Sequence, residues 1–195
     1  MTGVVLCGGQ STRMGTDKGL LRLREKTWAE HAADKLASLQ IPVVVSVNIQ
    51  QLNAYSKIFH TEELIIDDEN LSLKGPLLGL MSVHQQMKQE DLFVLACDIS
   101  EMNTALLQNL NEIYKRETAE AYVYATGEKP QPLCAIYTSA ALNKIEELYQ
   151  QQQLKKFSMM HVLECIETKH IPVLAAVAQY FNNYNSPEDV ETNIR

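Results

Sequence analysis

Apolar residues along the chain follow two alternating spacings. Short continuous apolar runs recur at Gly3 to Cys7, Val43 to Val47, Leu64 to Ile66 and Leu92 to Cys97, each bounded by polar or turn-forming residues. Runs of that length, rich in β-branched residues, predict buried strands. Between them the spacing widens to three and four. Trp28, Ala32, Leu36 and Leu39 do so over Thr27 to Leu39, with Thr27 as the cap. Leu77 to Met87 is a second helix, its first turn suited to Pro76. Thr104 to Arg116 and the more polar Ala140 to Gln153 are predicted helices. Ala121 to Ala125 and Pro132 to Tyr137 read as strands, Leu20 to Leu23 and Ile166 to Val173 as extended pieces, and Ser186-Pro187-Glu188-Asp189 as a capped helix start. Strand alternating with helix predicts an α/β fold: a doubly wound, mostly parallel sheet with helices on both faces and right-handed crossovers.

The 195 residues are expected to form a single domain over 1–195, without linker or repeat. Their 46% hydrophobic content excludes disorder as the expectation. No apolar run is long enough to cross a bilayer, and no charged, cleavable leader precedes the first strand. A cytoplasmic protein with no membrane partner is therefore expected. Cys7, Cys97, Cys134 and Cys165 form no C-x-x-C pair and read as buried, reduced thiols. Lys and Arg number 17 against 24 Asp and Glu, a net charge of −7. That argues against a nucleic-acid partner, which needs a basic face. It leaves room for one small phosphate pocket built from backbone amides and a few local cations.

In an open parallel sheet, ligands bind beyond the carboxyl ends of the strands. Three groups fall at such ends: the loop Gly8 to Gly15, Asp67-Asp68, and Asp98. The loop is not a Walker A motif, because Gly15 is followed by Thr16-Asp17-Lys18. It has the same logic, however. Gly8 and Gly9 let backbone amides approach phosphate, Ser11 and Thr12 add hydroxyl donors, and Arg13 and Lys18 add two cations. Asp98 follows a wholly apolar strand, and a carboxylate at a strand tip beside phosphates suits Mg2+. The alternative for Asp98 is a cap on the helix that follows. The five histidines are scattered, with no metal-ligand spacing, and no Ser-His-Asp set or nucleophile elbow is present.

The run Val4-Val5-Leu6-Cys7-Gly8-Gly9-Gln10-Ser11-Thr12-Arg13-Met14-Gly15-Thr16-Asp17-Lys18-Gly19-Leu20-Leu21 closely resembles the signature L-A-G-G-x-S-x-R-M-G-x-D-K-G-L of the molybdenum cofactor guanylyltransferases. Further matches follow in order at Gly75-Pro76-Leu77-Leu78-Gly79-Leu80, Cys97-Asp98, Gln131-Pro132-Leu133 and Asn183-Tyr184-Asn185-Ser186-Pro187-Glu188-Asp189, so the resemblance covers almost the whole chain. It implies a Rossmann-like nucleotidyltransferase with a nucleotide-binding half at about 1–100 and an acceptor-binding half at about 101–195. It implies transfer of GMP from GTP to the phosphate of molybdenum-bound molybdopterin, with Mg2+ as cofactor and molybdoenzyme-maturation proteins as partners. By the same resemblance nucleotide contacts fall on Leu6, Cys7, Gly8, Gly9, Lys18 and Asp68, Asp98 holds the metal, and Arg13 reaches the triphosphate. Asn183 and Asn185 match an asparagine pair on the pterin side of the family's cleft. Ser46 stands where many members carry an Asn near the base or ribose, with Asn48 close by, and Cys7 replaces a usual Ala. Catalysis is then expected from Arg13, Lys18 and Asp98.

Two other readings of the residues stay open. One keeps the chemistry and changes the substrates, as in a molybdopterin cytidylyltransferase or a sugar-phosphate nucleotidyltransferase. The other is a non-catalytic nucleotide-binding module that delivers cofactor. Arg13, Lys18 and Asp98 speak against the module, since a pure binder has less need of a metal carboxylate.

Overall fold

A computed structural model describes residues 1–8, 17–99 and 101–181. Among the described residues nine strands form two sheets: β1 (Thr2–Leu6), β2 (Arg22–Leu23), β3 (Lys26–Thr27), β4 (Val43–Val47), β5 (Leu64–Ile66), β6 (Leu92–Ala96), β7 (Ala121–Thr126), β8 (Lys129–Tyr137) and β9 (Thr168–Pro172). The main sheet has seven strands in the order β5-β4-β1-β6-β8-β7-β9, and β2 pairs with β3 in a small hairpin. Strands β5, β4, β1 and β6 run parallel. Strand β8 is antiparallel to both its neighbours, and β9 is parallel to β7. The sheet is thus mostly parallel, with β8 as the one reversed strand among the described residues.

Among the described residues six α-helices flank it: α1 (Trp28–Ala37), α2 (Leu52–Tyr55), α3 (Pro76–Gln86), α4 (Thr104–Arg116), α5 (Ser139–Gln150) and α6 (Met159–Cys165). Strand side chains alternate between the faces, as the period of two requires. Val4 and Leu6 join one core with Leu77, Leu80, Leu142 and Val162, under α3, α5 and α6. Val5 and Cys7 join the other with Ala32, Leu36, Leu107 and Leu110, under α1 and α4.

Helix starts follow local chemistry. Thr27 caps α1 in a reciprocal box: its backbone N–H donates to Glu30 Oε2 at 2.7 Å, and its Oγ1 accepts from Glu30 N–H at 3.3 Å. Helix α1 ends at Ala37, short of the expected Leu39, because Gln40 turns to φ 60°. Likewise α5 stops at Gln150, before Gln152 at φ 58°. The extended piece expected at Leu20 to Leu23 is shorter than that: Lys18–Leu20 form one 3-10 turn and only Arg22–Leu23 are strand. Helix α6 carries no counterpart among the expected elements. The helix start expected at Ser186 lies outside the described residues. No helix among the described residues is long and apolar enough to cross a membrane.

Candidate active site

The parallel strands end on one edge. The ladder runs one residue past each: Cys7 N–H donates to the Ser46 carbonyl at 3.0 Å, Cys97 N–H to the Leu6 carbonyl at 3.2 Å, and Asp67 N–H to the Val47 carbonyl at 2.9 Å. Gly8, Asn48, Asp67, Asp68 and Asp98 are thereby brought side by side, as the strand-end argument expects.

Asp98 and Lys18 meet there. Lys18 Nζ donates to Asp98 Oδ2 at 3.2 Å across 80 residues of sequence, and both side chains keep about a fifth of their exposure (20% and 18%). Asp98 does not cap the next helix. That duty falls to Asn103, whose side-chain oxygen accepts from Ala105 N–H at 2.8 Å. Among the described residues no backbone N–H donates to the Asp98 carboxylate. Among the described residues no three His, Cys, Asp or Glu groups converge as a ready metal cage. A single carboxylate at this edge fits Mg2+, which takes one or two carboxylates and completes its octahedron with other oxygens and water.

A carboxylate leaves no room for a side chain at Gly8. A Cβ there would lie 2.6 Å from Asp67 Oδ2. Asp67 is buried at 7% exposure, and its Oδ1 accepts from Ser46 Oγ at 2.7 Å. Burial pushes the Asp67 carboxyl above its ordinary range, opposed by the Ser46 hydrogen bond. Gly79 of α3 makes room on the other side, since a Cβ there would come 2.5 Å from Ser46 Oγ.

Ser46, expected as a nucleotide contact, has its side chain turned into the core. It is wholly buried, and its hydroxyl is spent on Asp67. Its place in β4 puts it on the same face as Val44, toward α3, so it reaches the edge only through the carboxylate it holds. Leu6 and Cys7 have buried side chains as well. Both backbone groups of Cys7 are engaged, the N–H by Ser46 and the carbonyl by Gln51 Nε2 at 3.0 Å. Leu6 and Cys7 thus form the floor beneath Gly8. Asp68, half buried, receives Asn70 N–H at 3.0 Å and Asn70 Nδ2 at 2.8 Å on its Oδ1, while its own N–H donates to Ser82 Oγ at 2.8 Å. That holds a turn at the edge. Asn48 Oδ1 accepts from Gln51 N–H at 3.0 Å. Gly9, Ser11, Arg13, Asn183 and Asn185 lie outside the described residues.

Two groups at this edge, Gln51 and Tyr55, have no local sequence signal, and both meet Asp17, the aspartate of the glycine-rich signature. Gln51 Nε2 donates to Asp17 Oδ2 at 2.6 Å, and Tyr55 Oη donates to Asp17 Oδ1 at 3.1 Å. Burial, with the Asp17 carboxylate nearby, drives the Tyr55 phenol far up and keeps it a donor. The Cys97 thiol is pushed well up, first by its hydrogen bond with Cys7 and then by burial, and burial lifts Cys134 to about 12. Those thiols stay protonated and are poor nucleophiles. All four cysteines are free, with only Cys165 partly exposed.

The model of the MobA-like NTP transferase domain matches residues 3–166. A protein of Flavobacterium johnsoniae named probable molybdenum cofactor guanylyltransferase is 29% identical over 194 residues, 97% of this chain and 94% of that one. One of the same name from a Geobacillus species is 31% identical over 159 residues, 82% of this chain and 80% of that one. The crystal structure of molybdopterin-guanine dinucleotide biosynthesis protein A from Archaeoglobus fulgidus shares the fold, with a TM-score of 0.76 at 22% identity over 98% of this chain and 96% of that one. A Methanothermobacter nucleotidyl transferase does so with a TM-score of 0.74 at 14% identity, over 100% and 95%.

Proposed function

Because the chain belongs to the MobA-like NTP transferase family and is a nucleotidyltransferase, we propose that it transfers GMP from GTP to the phosphate of molybdenum-bound molybdopterin. An oxygen of the acceptor phosphate attacks the α-phosphorus of GTP. The new P–O bond forms as the bond from the α-phosphorus to the α,β-bridging oxygen breaks, and pyrophosphate leaves with that electron pair. The observation that carries this reading is the Lys18–Asp98 pair at 3.2 Å on the strand-end edge. A cation and a carboxylate held together there give positioning and charge compensation, the two things phosphoryl chemistry asks of a protein.

In this reading Asp98 holds Mg2+, and a bound Mg2+ supplies neutralisation of the charge that develops on the α-phosphate and departing pyrophosphate. Lys18 meets the triphosphate, aided by Arg13 and by the amides and hydroxyl of Gly8, Gly9 and Ser11. Asp68 faces the nucleoside. Ser46 serves through Asp67 rather than by touching the ligand. Residues up to about 100 then carry the nucleotide, and the later ones, with Asn183 and Asn185, carry the pterin. Molybdoenzyme-maturation proteins are the receiving partners.

The test is a thermal-shift series with GTP, CTP, ATP and UTP in Mg2+. A ligand that binds only the native state adds about 2.7 kcal/mol at a hundred times its Kd. That is roughly 5–11 °C in Tm for a chain of this size. GTP is expected to give the largest shift. An equal or larger shift with CTP overturns the guanylyl assignment.

A further inference from the structure

Resting on the transfer reading above, we infer that Gln51 is a positioning residue for the reaction: it locks Asp17 to the end of β1 and so sets Lys18 opposite Asp98. Every polar atom of its side chain is engaged. Nε2 donates both to the Cys7 carbonyl at 3.0 Å and to Asp17 Oδ2 at 2.6 Å, and Oε1 accepts from Asn48 N–H at 2.9 Å. The amide has one sensible orientation. Turned over, it would set its oxygen against a carbonyl and a carboxylate, and its NH2 against an N–H.

Among the described residues the Asp17 carboxylate receives three donors: Gln51 Nε2, Tyr55 Oη at 3.1 Å, and Gly19 N–H at 3.0 Å. Hydrogen bonds to an ionised acceptor are the strong class, and Gln51 and Tyr55 are both buried. Lys18 sits between the carboxylate-bearing residue and the Gly19 amide bonded to it, so its backbone is held on both sides. Gly19 must be glycine because a Cβ there would collide with the Tyr55 hydroxyl. The short helix α2 gains a purpose from this geometry. Gln51 precedes it and Tyr55 ends it, four residues apart, so both fall on the face toward Asp17.

Gln51 thus joins Cys7, where the chain enters the glycine-rich segment, to Asp17, where it leaves. A displacement of about 1 Å in a positioned group can cost on the order of a hundredfold in rate. Gln51 needs no contact with substrate to exert that control.

The experiment is a double-mutant cycle in pyrophosphate release, reading kcat and KM for GTP in the full chain. Gln51→Ala is expected to lower kcat at least about tenfold while KM stays within about threefold. In a Lys18→Ala background the same change is expected to cost less than about twofold, because the group it positions is already gone. Equal losses in both backgrounds, or a loss confined to KM, overturn the inference. If Gln51→Ala fails to fold, Tyr55→Phe removes one donor to Asp17 with the ring retained, and its coupling to Lys18→Ala decides by the same rule. A wild type that transfers from another triphosphate overturns the guanylyl reading alone. The cycle is then run with that triphosphate, where additive losses again overturn the role of Gln51.

Discussion

Asp98→Asn separates a metal-holding carboxylate from a structural one, because the variant keeps the shape and removes the charge. The cost to the fold is set by the pair with Lys18 at 3.2 Å. At an effective dielectric of about 20 the raw attraction over that distance is roughly 5 kcal/mol. Most of it is offset by desolvation of both ions and by ordering of the lysine stem. Both side chains keep about a fifth of their exposure (20% and 18%), so water can reach the lysine once its partner is neutral. A net stability loss of about 1–2 kcal/mol follows. In a chain of this length that is roughly 2–8 °C in Tm. No helix cap is lost, since Asn103 caps α4. The cost to transfer is larger: at least about a hundredfold in kcat, or about 2.7 kcal/mol, the scale of one preorganised electrostatic group. The assay is pyrophosphate release across a Mg2+ titration, with Tm measured in parallel without ligand. A small Tm change with a large rate loss and a weakened Mg2+ dependence is expected. Retention of wild-type turnover at saturating Mg2+ and GTP would refute the metal role.

Lys18→Ala and Arg13→Ala are each expected to lose about 10²–10³ in kcat with the fold intact, measured by steady-state kinetics beside circular dichroism; wild-type turnover in both would mean the charges are only solvated. Asp67 titrates in the opposite sense to a salt-bridged carboxylate. Its folded pKa lies above the ordinary 3.8, so its contribution to stability is full below that value and is lost as pH rises through the raised pKa. Asp67→Asn should therefore gain in Tm relative to wild type as pH rises from about 4 to 8, and a gap independent of pH would contradict the burial assigned to this carboxyl.

Local chemistry made much of the fold legible. The limits of β4 and α4, Val43–Val47 and Thr104–Arg116, coincide with the apolar run and the helical spacing read from sequence. The cap at Thr27 and the proline at the start of α3 are set by groups a few residues apart. Helix α6 was missed, although Ser158 followed by Met159, Val162 and Leu163 carries a cap and three-and-four spacing, and Ser158 Oγ does accept from His161 N–H at 3.2 Å. Its length of seven residues left the pattern too short to stand out. In the candidate site, Lys18 and Asp98 were legible as charges at glycine-rich and apolar strand ends.

Chain order and residue type by themselves determined that strands and helices alternate, that polar groups fall at the carboxyl ends of the strands, and that the sequence carries no Ser-His-Asp set or nucleophile elbow. Those features follow from backbone preference, period and capping, which act over a few residues. Tertiary structure alone decided the reversal of β8, the contact of Lys18 with Asp98 across 80 residues, the burial of Ser46 behind Asp67, and the grip of Gln51 and Tyr55 on Asp17. A donor such as Gln51 looks like any surface glutamine until strand order brings β1 beside β4. The register of those strands then sets which face each side chain takes, so that a serine can be a ligand contact or a buried prop according to a shift of one residue.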